Sequence, residues 1–324
     1  LDGDPDLVST NAKNSSLTLL HGKGDGSFHA GSTIKVAIEP TMSTVGDVNR
    51  DGIPDLVVNS RGSERFLVFL GKGNSKFMRP LATKTGKVPL NIILGDYNED
   101  GNLDAAVTLT FDQIELYLGS GDGYFKKGET YLTGSRSFSG VTEDFNEDGH
   151  LDIALAASSS SASSIRLFLG NGNGTFKKPK RLAEQLVPLA LVASDMNDDG
   201  KTDLVFAAGQ GDNMYLLISN GGGNFKEPII FSAGGGPFAL TTGHFNPDKI
   251  KDVAVANSRS SSFSLVIRNP NGTFKFPTRD YVVDGGTPLA ITSGDYNHSG
   301  MSDIVVASNA KNTIEIYLQR RVFK

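Results

Sequence analysis

The chain alternates short apolar runs with polar, glycine-rich breaks, and no stretch sustains a helical period. One unit shows the pattern. Pro89-Leu-Asn-Ile-Ile-Leu-Gly95 reads as a short strand introduced by proline, strand A. An acidic loop over 96–104 separates it from an apolar strand B, Ala105 to Thr110. A turn at Phe111-Asp112-Gln113 leads into strand C, Ile114-Glu-Leu-Tyr-Leu118, which alternates with period two. Gly119-Ser-Gly-Asp-Gly-Tyr-Phe125 is a hairpin turn, and an outer strand D lies near 129–133. Four strands in about 50 residues is the size of one propeller blade.

The unit repeats along the whole chain. Aspartates end the acidic loops at 6, 55, 104, 152, 203, 252 and 303, at intervals of 49, 49, 48, 51, 49 and 51 residues. A sustained period of this length, carried by small sheets, implies a radial array. The proline of strand A recurs as Pro40, Pro188, Pro237 and Pro288, with Ser137 the exception. The hairpin aromatic recurs as Phe28, Phe77, Phe176, Phe225 and Phe274, and the second loop residue is Val48, Tyr97, Phe145, Met196, Phe245 or Tyr296. These positions predict blade-to-blade packing. The expected fold is all-β: a seven-bladed β-propeller of four-stranded antiparallel blades, one domain over 1–324. The first unit begins inside its loop, with Asp2, Asp4 and Asp6 at positions 5, 7 and 9, and lacks strand A. The last stops after strand C and lacks strand D, so either flanking residues complete these blades or both are three-stranded.

Composition narrows the chemistry. A net charge of −5 without a basic stripe disfavours nucleic acid as a partner. No run of 18 apolar residues is present, hence no membrane-spanning helix is expected. Cysteine is absent, which removes disulfides, zinc–thiolate sites and thiol nucleophiles. Leu1 is not an initiator methionine, so the chain reads as a processed or trimmed piece.

The acidic loops carry the candidate metal chemistry. Asp96, Asn98, Asp100 and Asp104 set side-chain oxygens at positions 1, 3, 5 and 9, with Gly101 at position 6 and the carbonyl of Asn102 at position 7. Three carboxylates and an amide so close together repel unless a hard cation sits among them, and Ca²⁺ takes such oxygens in flexible shells. Gly101 suits the sharp turn with φ > 0 that wrapping a cation needs. Val107 stands where an EF-hand has its bidentate Glu, so this is a strand–loop–strand site. The same set recurs as Asp47, Asn49, Asp51, the carbonyl of Ile53 and Asp55. It recurs again as Asp144, Asn146, Asp148, the carbonyl of His150 and Asp152, and as Asp195, Asn197, Asp199, the carbonyl of Lys201 and Asp203. Loop 295–303 keeps Asp295, Asn297 and Asp303 but has Ser299 at position 5. Loop 244–252 opens with His244 and carries Pro247 and Lys249, so it is expected to be metal-free, with a lysine balancing Asp248 or Asp252. About four to five Ca²⁺ ions follow. Without a bidentate Glu their affinity belongs in the weaker, extracellular range, which predicts a secreted or cell-surface protein.

No catalytic constellation stands out, and the expectation is a protein that is not an enzyme. The five histidines are scattered with no two at ligand spacing, and no HExxH is present. The Gly-rich turns lack the Gly-Lys-Ser/Thr ending and following helix of a phosphate loop. In a propeller of this connectivity the A–B and C–D connections share one face, and the B–C and D–A connections the other. The B–C turns diverge most: 59–64 with Arg61, 158–164, 209–213, and 257–261 with Arg259. Variable loops on a rigid frame are the expected seat of a protein or glycan ligand, opposite the acidic loops.

With these motifs in hand, the chain resembles the FG-GAP/VCBS repeat family, which includes the integrin α-subunit head propeller, bacterial secreted repeat proteins and some fungal propeller lectins. The resemblance rests on Gly-Asp-[Tyr/Phe/Val/Met]-Asn-x-Asp-Gly-x-x-Asp, at 46–56 and 95–105 and, with Glu or Ser before the first Asp, at 143–153 and 194–204. Its companion Leu-Gly-x-Gly-x-Gly-x-Phe stands at 169–176, with variants at 70–77 and 118–125. The resemblance implies a calcium-binding extracellular propeller used for recognition or adhesion. It also admits a lectin with pockets between blades, or a polysaccharide lyase or hydrolase, because fold does not imply function.

Overall fold

Strand B anchors each repeat. All six residues of Asp55–Ser60, Asp104–Leu109, Asp203–Ala208 and Asp252–Asn257 are buried, as a strand sandwiched in a small sheet between neighbouring sheets must be. The structure is a computed structural model describing residues 3–36, 39–159, 163–270, 272–275 and 278–319. Five four-stranded sheets pair in the order A-B-C-D, all antiparallel. They are Pro40–Gly46 to Leu81–Lys84, Pro89–Gly95 to Phe125–Leu132, Arg136–Glu143 to Lys180–Leu182, Pro188–Ser194 to Ile229–Ser232, and Pro237–Gly243 to Arg279–Val282. The first sheet (Leu7–Asn11, Ser16–Gly22, Phe28–Lys35) and the last (Pro288–Gly294, Asp303–Ser308, Thr313–Tyr317) have three strands. Seven blades result, and the two end blades are three-stranded. A single 3₁₀ turn, Arg61–Ser63, is the one helical element among the described residues. In blade 3, strand D begins at Phe125, straight after the turn, rather than near 129, because Gly119 pairs directly with Phe125.

The core lies between blades rather than within them. Each apolar cluster joins two successive sheets, as where Val48 and Phe66 of blade 2 pack with Ile92 and Tyr117 of blade 3. The hairpin aromatic of one blade seats on the second loop residue of the blade before it. Tyr97 meets Phe176 edge to face at 5.5 Å, and Phe145 meets Phe225 at 6.4 Å. Edge-to-face pairs add about 1 kcal/mol each beyond area burial. The same contact closes the ring: Phe28 of blade 1 meets Tyr296 of blade 7 at 5.4 Å. Gly26 N donates to Tyr296 O at 2.9 Å, as Gly174 N does to Tyr97 O at 2.8 Å. Ring closure therefore needs no special device.

From blade 2 to blade 7, strand A of each blade touches strand A of the next and so faces the centre. In blades 2 to 7 its pairing with strand B slips by an extra residue at the outset, between Pro89 and Asn91, Ser137 and Ser139, Pro188 and Ala190, Pro237 and Ala239, Pro288 and Ala290, and Pro40 and Ser43. Ser137 shows that the bulge does not require proline.

Candidate functional site

The four complete acidic loops fold identically. Position 1 accepts the backbone N–H groups of positions 5 and 6: Asp96 Oδ1 from Asp100 at 3.2 Å and Oδ2 from Gly101 at 2.8 Å, with Asp47, Asp144 and Asp195 alike. Position 3 accepts from the N–H of position 5 and donates its amide to that residue's carboxylate, as Asn98 does to Asp100 at 3.0 Å; Asn49, Asn146 and Asn197 repeat it. Position 5 accepts the N–H of position 7: Asp51 from Ile53, Asp100 from Asn102, Asp148 from His150, Asp199 from Lys201. Gly101 has φ +85°, as its predicted turn requires.

Position 9 behaves differently. Asp55, Asp104, Asp152 and Asp203 are fully buried, and each carboxylate takes two backbone N–H groups. Asp104 accepts from Tyr97 at 3.0 Å and from Gly119 of the C–D turn at 2.8 Å. Asp252 and Asp303 keep this clamp, so it belongs to the blade, with or without a complete loop. Burial, with a smaller contribution from the neighbouring loop aspartates, pushes the Asp104, Asp152 and Asp203 carboxyls up to about 6.

Among the described residues no group of three or more His, Asp or Glu side chains is drawn together as a metal-binding set. The donor chemistry of the loops nonetheless fits a hard cation. Every candidate ligand atom is oxygen, positions 1 and 3 are half-buried and position 5 exposed, and each carboxylate oxygen holding one N–H retains a second lone pair. In loop 295–303, Asp295 holds the N–H groups of Ser299 and Gly300, but Asn297 turns its amide onto Asp303 and Gln319. In loop 244–252 Lys251 Nζ leaves the loop for Ser194 Oγ of the preceding blade, at 2.9 Å, and the lysine whose charge favours the Asp252 carboxylate is Lys275. Of the first loop, Asp2 lies outside the described residues.

The structure adds contacts that a residue-by-residue reading misses. Position 4 of one loop pairs with position 7 of the next: Glu147 with Lys201 at 3.2 Å, Glu99 with His150, and His298 with Asp4 at 2.9 Å across the ring closure. Asp198 is met instead by Arg268, at 2.6 Å. His150 and His298, which read as solvated loop residues, are thus bridges between blades. A hydrogen bond donated to the Glu99 carboxylate raises the pKa of His150, and one donated to Asp4 raises that of His298. Alternating charge at these two offsets was the available signal.

On the opposite face, B–C turns lie against D–A loops, as where Thr85 N donates to Glu64 O at 2.9 Å and Ala233 N to Asp212 O at 3.0 Å. Arg259 pairs with Asp212 of the preceding blade's turn, and part of the turn at 158–164 lies outside the described residues. The extra residue of each strand A bulge sits at this end of the strand. Leu90 is buried, but Phe138 is 52% exposed, Phe238 41% and Leu289 36%, and Leu189 packs over Gly209 of a B–C turn. Bulges re-aim side chains, and here they leave large apolar groups open on the variable face.

The FG-GAP-like repeat matches over residues 1–58, 47–107, 96–155, 144–189, 195–255 and 244–306. The chain belongs to the FG-GAP-like repeat family. No curated protein matches it. Among solved structures, BBS1N in complex with ARL6DN is similar with a TM-score of 0.67 at 13% identity, over 99% of this chain and 88% of that one. An Agrocybe aegerita lectin, described as recognising non-reducing terminal N-acetylglucosamine, gives 0.63 at 15% identity over 98% and 90%. A protein of unknown function from Desulfotomaculum acetoxidans gives 0.69 at 12% identity over 98% and 93%. At such identities these neighbours share the fold alone. Among the described residues no helix is long and apolar enough to cross a membrane.

Proposed function

We propose that this FG-GAP-like propeller is a calcium-stabilised recognition scaffold working outside the cell or at its surface, binding a protein ligand through its B–C and D–A face. The observation that carries the reading is the set of strand A bulges, which leave Phe138, Phe238 and Leu289 exposed at one end of the central strands beside the most variable turns. Exposed aromatics gathered on one face are costly to keep solvated and mark interaction sites. On the other face, the loops beginning at Asp47, Asp96, Asp144 and Asp195 would hold Ca²⁺ through their side-chain oxygens and the carbonyls of Ile53, Asn102, His150 and Lys201, with the Asp295 loop a fifth candidate. The ion would supply positive charge that offsets the mutual repulsion of the loop carboxylates. Such oxygen sets without a bidentate Glu suit the high calcium of extracellular fluid. The protein acts by binding, not catalysis.

A second reading, glycan binding, is favoured by the fold shared with the Agrocybe aegerita lectin and by phenyl rings at equivalent positions of blades 4 and 6. The test is a panel of extracellular proteins and a glycan array probed in calcium with wild type and a Phe138→Ser/Phe238→Ser variant. The variant should bind at least tenfold more weakly with an unchanged melting temperature. Ligands found only on the glycan array decide for the second reading. Undiminished binding by the variant overturns both, and a polysaccharide-cleavage screen that turns over substrate overturns the non-catalytic reading.

A further inference from the structure

Blade 1 departs from its own repeat at two facing positions, and both departures are to histidine. The residue before the C–D turn is apolar in every other blade: Leu70, Leu118, Leu169, Ile218, Ile267 and Leu318. In blade 1 it is His21. The residue after the hairpin aromatic is Met78, Lys126, Lys177, Lys226 or Lys275 elsewhere, and His29 in blade 1. The pairing of strands C and D sets the two directly opposite each other, as it does Leu118 and Lys126 in blade 3. Eight residues apart in sequence, they do not look like a ligand pair; the hairpin makes them one.

Their surroundings are organised. The ring centroids lie 5.1 Å apart with planes at 43°. His21 Nδ1 is 3.3 Å from Asp6 Oδ2 and 3.2 Å from Ser75 Oγ, which reaches across from blade 2. Its Nδ1–H is therefore committed to these oxygens, and Nε2 is left with its lone pair. That nitrogen lies over Gly31, where a Cβ would stand 2.4 Å from it. Gly31 has no positive φ to explain it, so the missing side chain provides room for the ring.

We propose that His21 and His29 form a binding site for a divalent transition-metal ion of the zinc class. His21 Nε2 and a ring nitrogen of His29 would be the ligands, and the remaining positions would be open to water or an incoming group. Imidazole nitrogen suits Zn²⁺, Ni²⁺ and Cu²⁺, whereas Ca²⁺ takes oxygen, so this site is chemically separate from the acidic loops. Two rings bound to one tetrahedral ion, each nitrogen about 2.0 Å from it, have centroids about 5 Å apart, which is the separation already present. Asp6 supplies the carboxylate that commonly holds the outer nitrogen of a metal-binding histidine and fixes its tautomer.

The experiment is calorimetric titration of zinc chloride into the protein in saturating calcium chloride, so that the acidic loops are already filled. Wild type should bind one Zn²⁺. His21→Leu and His29→Lys install the residues that the repeat uses elsewhere, so the blade is kept while either change weakens zinc binding at least tenfold. Gly31→Ala should weaken it by displacing the His21 ring with both ligands intact, and Asp6→Asn should cost about tenfold. Zinc should raise the melting temperature of wild type and not that of the two histidine variants, while the calcium stoichiometry of those variants stays at the wild-type value. No zinc binding by wild type, or binding undiminished in His21→Leu and His29→Lys, overturns the site.

Discussion

Blades 3 and 6 share one frame and differ in the loop laid over it. In both, a buried aspartate joins the start of strand B to the second loop residue and to the C–D turn: Asp104 through Tyr97 and Gly119, Asp252 through Phe245 and Arg268. In both, burial pushes that carboxyl up to about 6. Above Asp104 stand Asp96 and Asp100, and their charges supply part of that rise. Blade 6 has His244 at position 1, and only Asp248 adds while Lys275 opposes. Blade 6 also sends two cationic side chains to blade 5, Lys251 to Ser194 and Arg268 to Asp198. The last aspartate is thus part of the fold, whereas the earlier carboxylates are an addition that a blade can lack.

The largest effect should come from removing that addition. If the blade 3 type of loop holds calcium, chelation should lower unfolding stability by about 2.7 kcal/mol for each site kept at a hundredfold excess of ion over Kd. Titration calorimetry of the chelator-treated protein should return four or five ions. Asp96→Ala with Asp100→Ala should remove one of them, and Asp248→Ala in blade 6 should remove none. A stoichiometry near zero, or a loss on Asp248→Ala, would break the distinction between the two loops.

The shared frame predicts the next effect. Asp104→Ala and Asp252→Ala should each cost about 3 kcal/mol, because each strands two backbone N–H groups in a buried corner. Urea midpoints in chelator should fall by similar amounts for the two. A much smaller loss in blade 6 would mean that its cationic cross-links, rather than the aspartate, hold it.

Those cross-links are themselves testable. The Arg268 side chain is 0% exposed, yet its Nε and Nη1 have no hydrogen-bond partner among the described residues, and Asp198 is 68% exposed. A buried cation with so little compensation contributes little, so Arg268→Met should be neutral or stabilise by up to about 1 kcal/mol. A loss above about 2 kcal/mol would show the ion pair to be a necessary rivet.

Much of this comparison was legible in the sequence. The 49-residue spacing of Asp55 and Asp104 fixes blade count, and Lys249 and Pro247 mark loop 244–252 as different before any coordinates. What could not be read locally is what depends on pairing between segments. Phe138 and Phe238 look like ordinary strand residues until the slip in pairing with strand B exposes them. Glu99 and His150 are 51 residues apart, so their contact needs two blades in place. His21 and His29 are opposed only because the intervening turn pairs Gly22 with Phe28. The aspartate at position 9 was read as a ligand, and its clamp on the C–D turn depends on a residue 15 positions away in blade 3.

The smallest effect is one of slope rather than size, and it separates the two blades at their far ends. The N–H three residues before strand A is held in blade 3 by Glu115, through Gly86 at 2.8 Å, and in blade 6 by the Ser264 hydroxyl, through Gly234 at 3.0 Å. Glu315 does for Gly285 in blade 7 what Glu115 does in blade 3, and each glutamate also accepts from a tyrosine, Tyr317 or Tyr117. Burial alone would push the Glu115 carboxyl up, but Lys127, Tyr117 and Gly86 together hold it below its ordinary 4.5. Glu315 is lowered in the same way by Gly285, Tyr317 and Asp284 N–H. A carboxyl with a depressed folded pKa stabilises above its unfolded value, and that stability is lost as pH falls through the folded pKa. The two glutamates therefore contribute a drop in urea midpoint with acid below about pH 5, opposite in sign to the position 9 aspartates, whose raised folded pKa makes protonation favour the fold. Glu115→Gln/Glu315→Gln should remove that drop while costing about 1 kcal/mol per site at neutral pH: at Glu115 the amide keeps the Gly86 N–H and forfeits a half-exposed lysine contact, and at Glu315 it gives up one of the two backbone N–H groups held. Ser264→Ala should lower the midpoint at neutral pH, because the hydroxyl both accepts from Gly234 and donates to Asp280. An acid slope unchanged in the double glutamine variant would move the pH sensitivity of the fold from these corners to the loops on the other face.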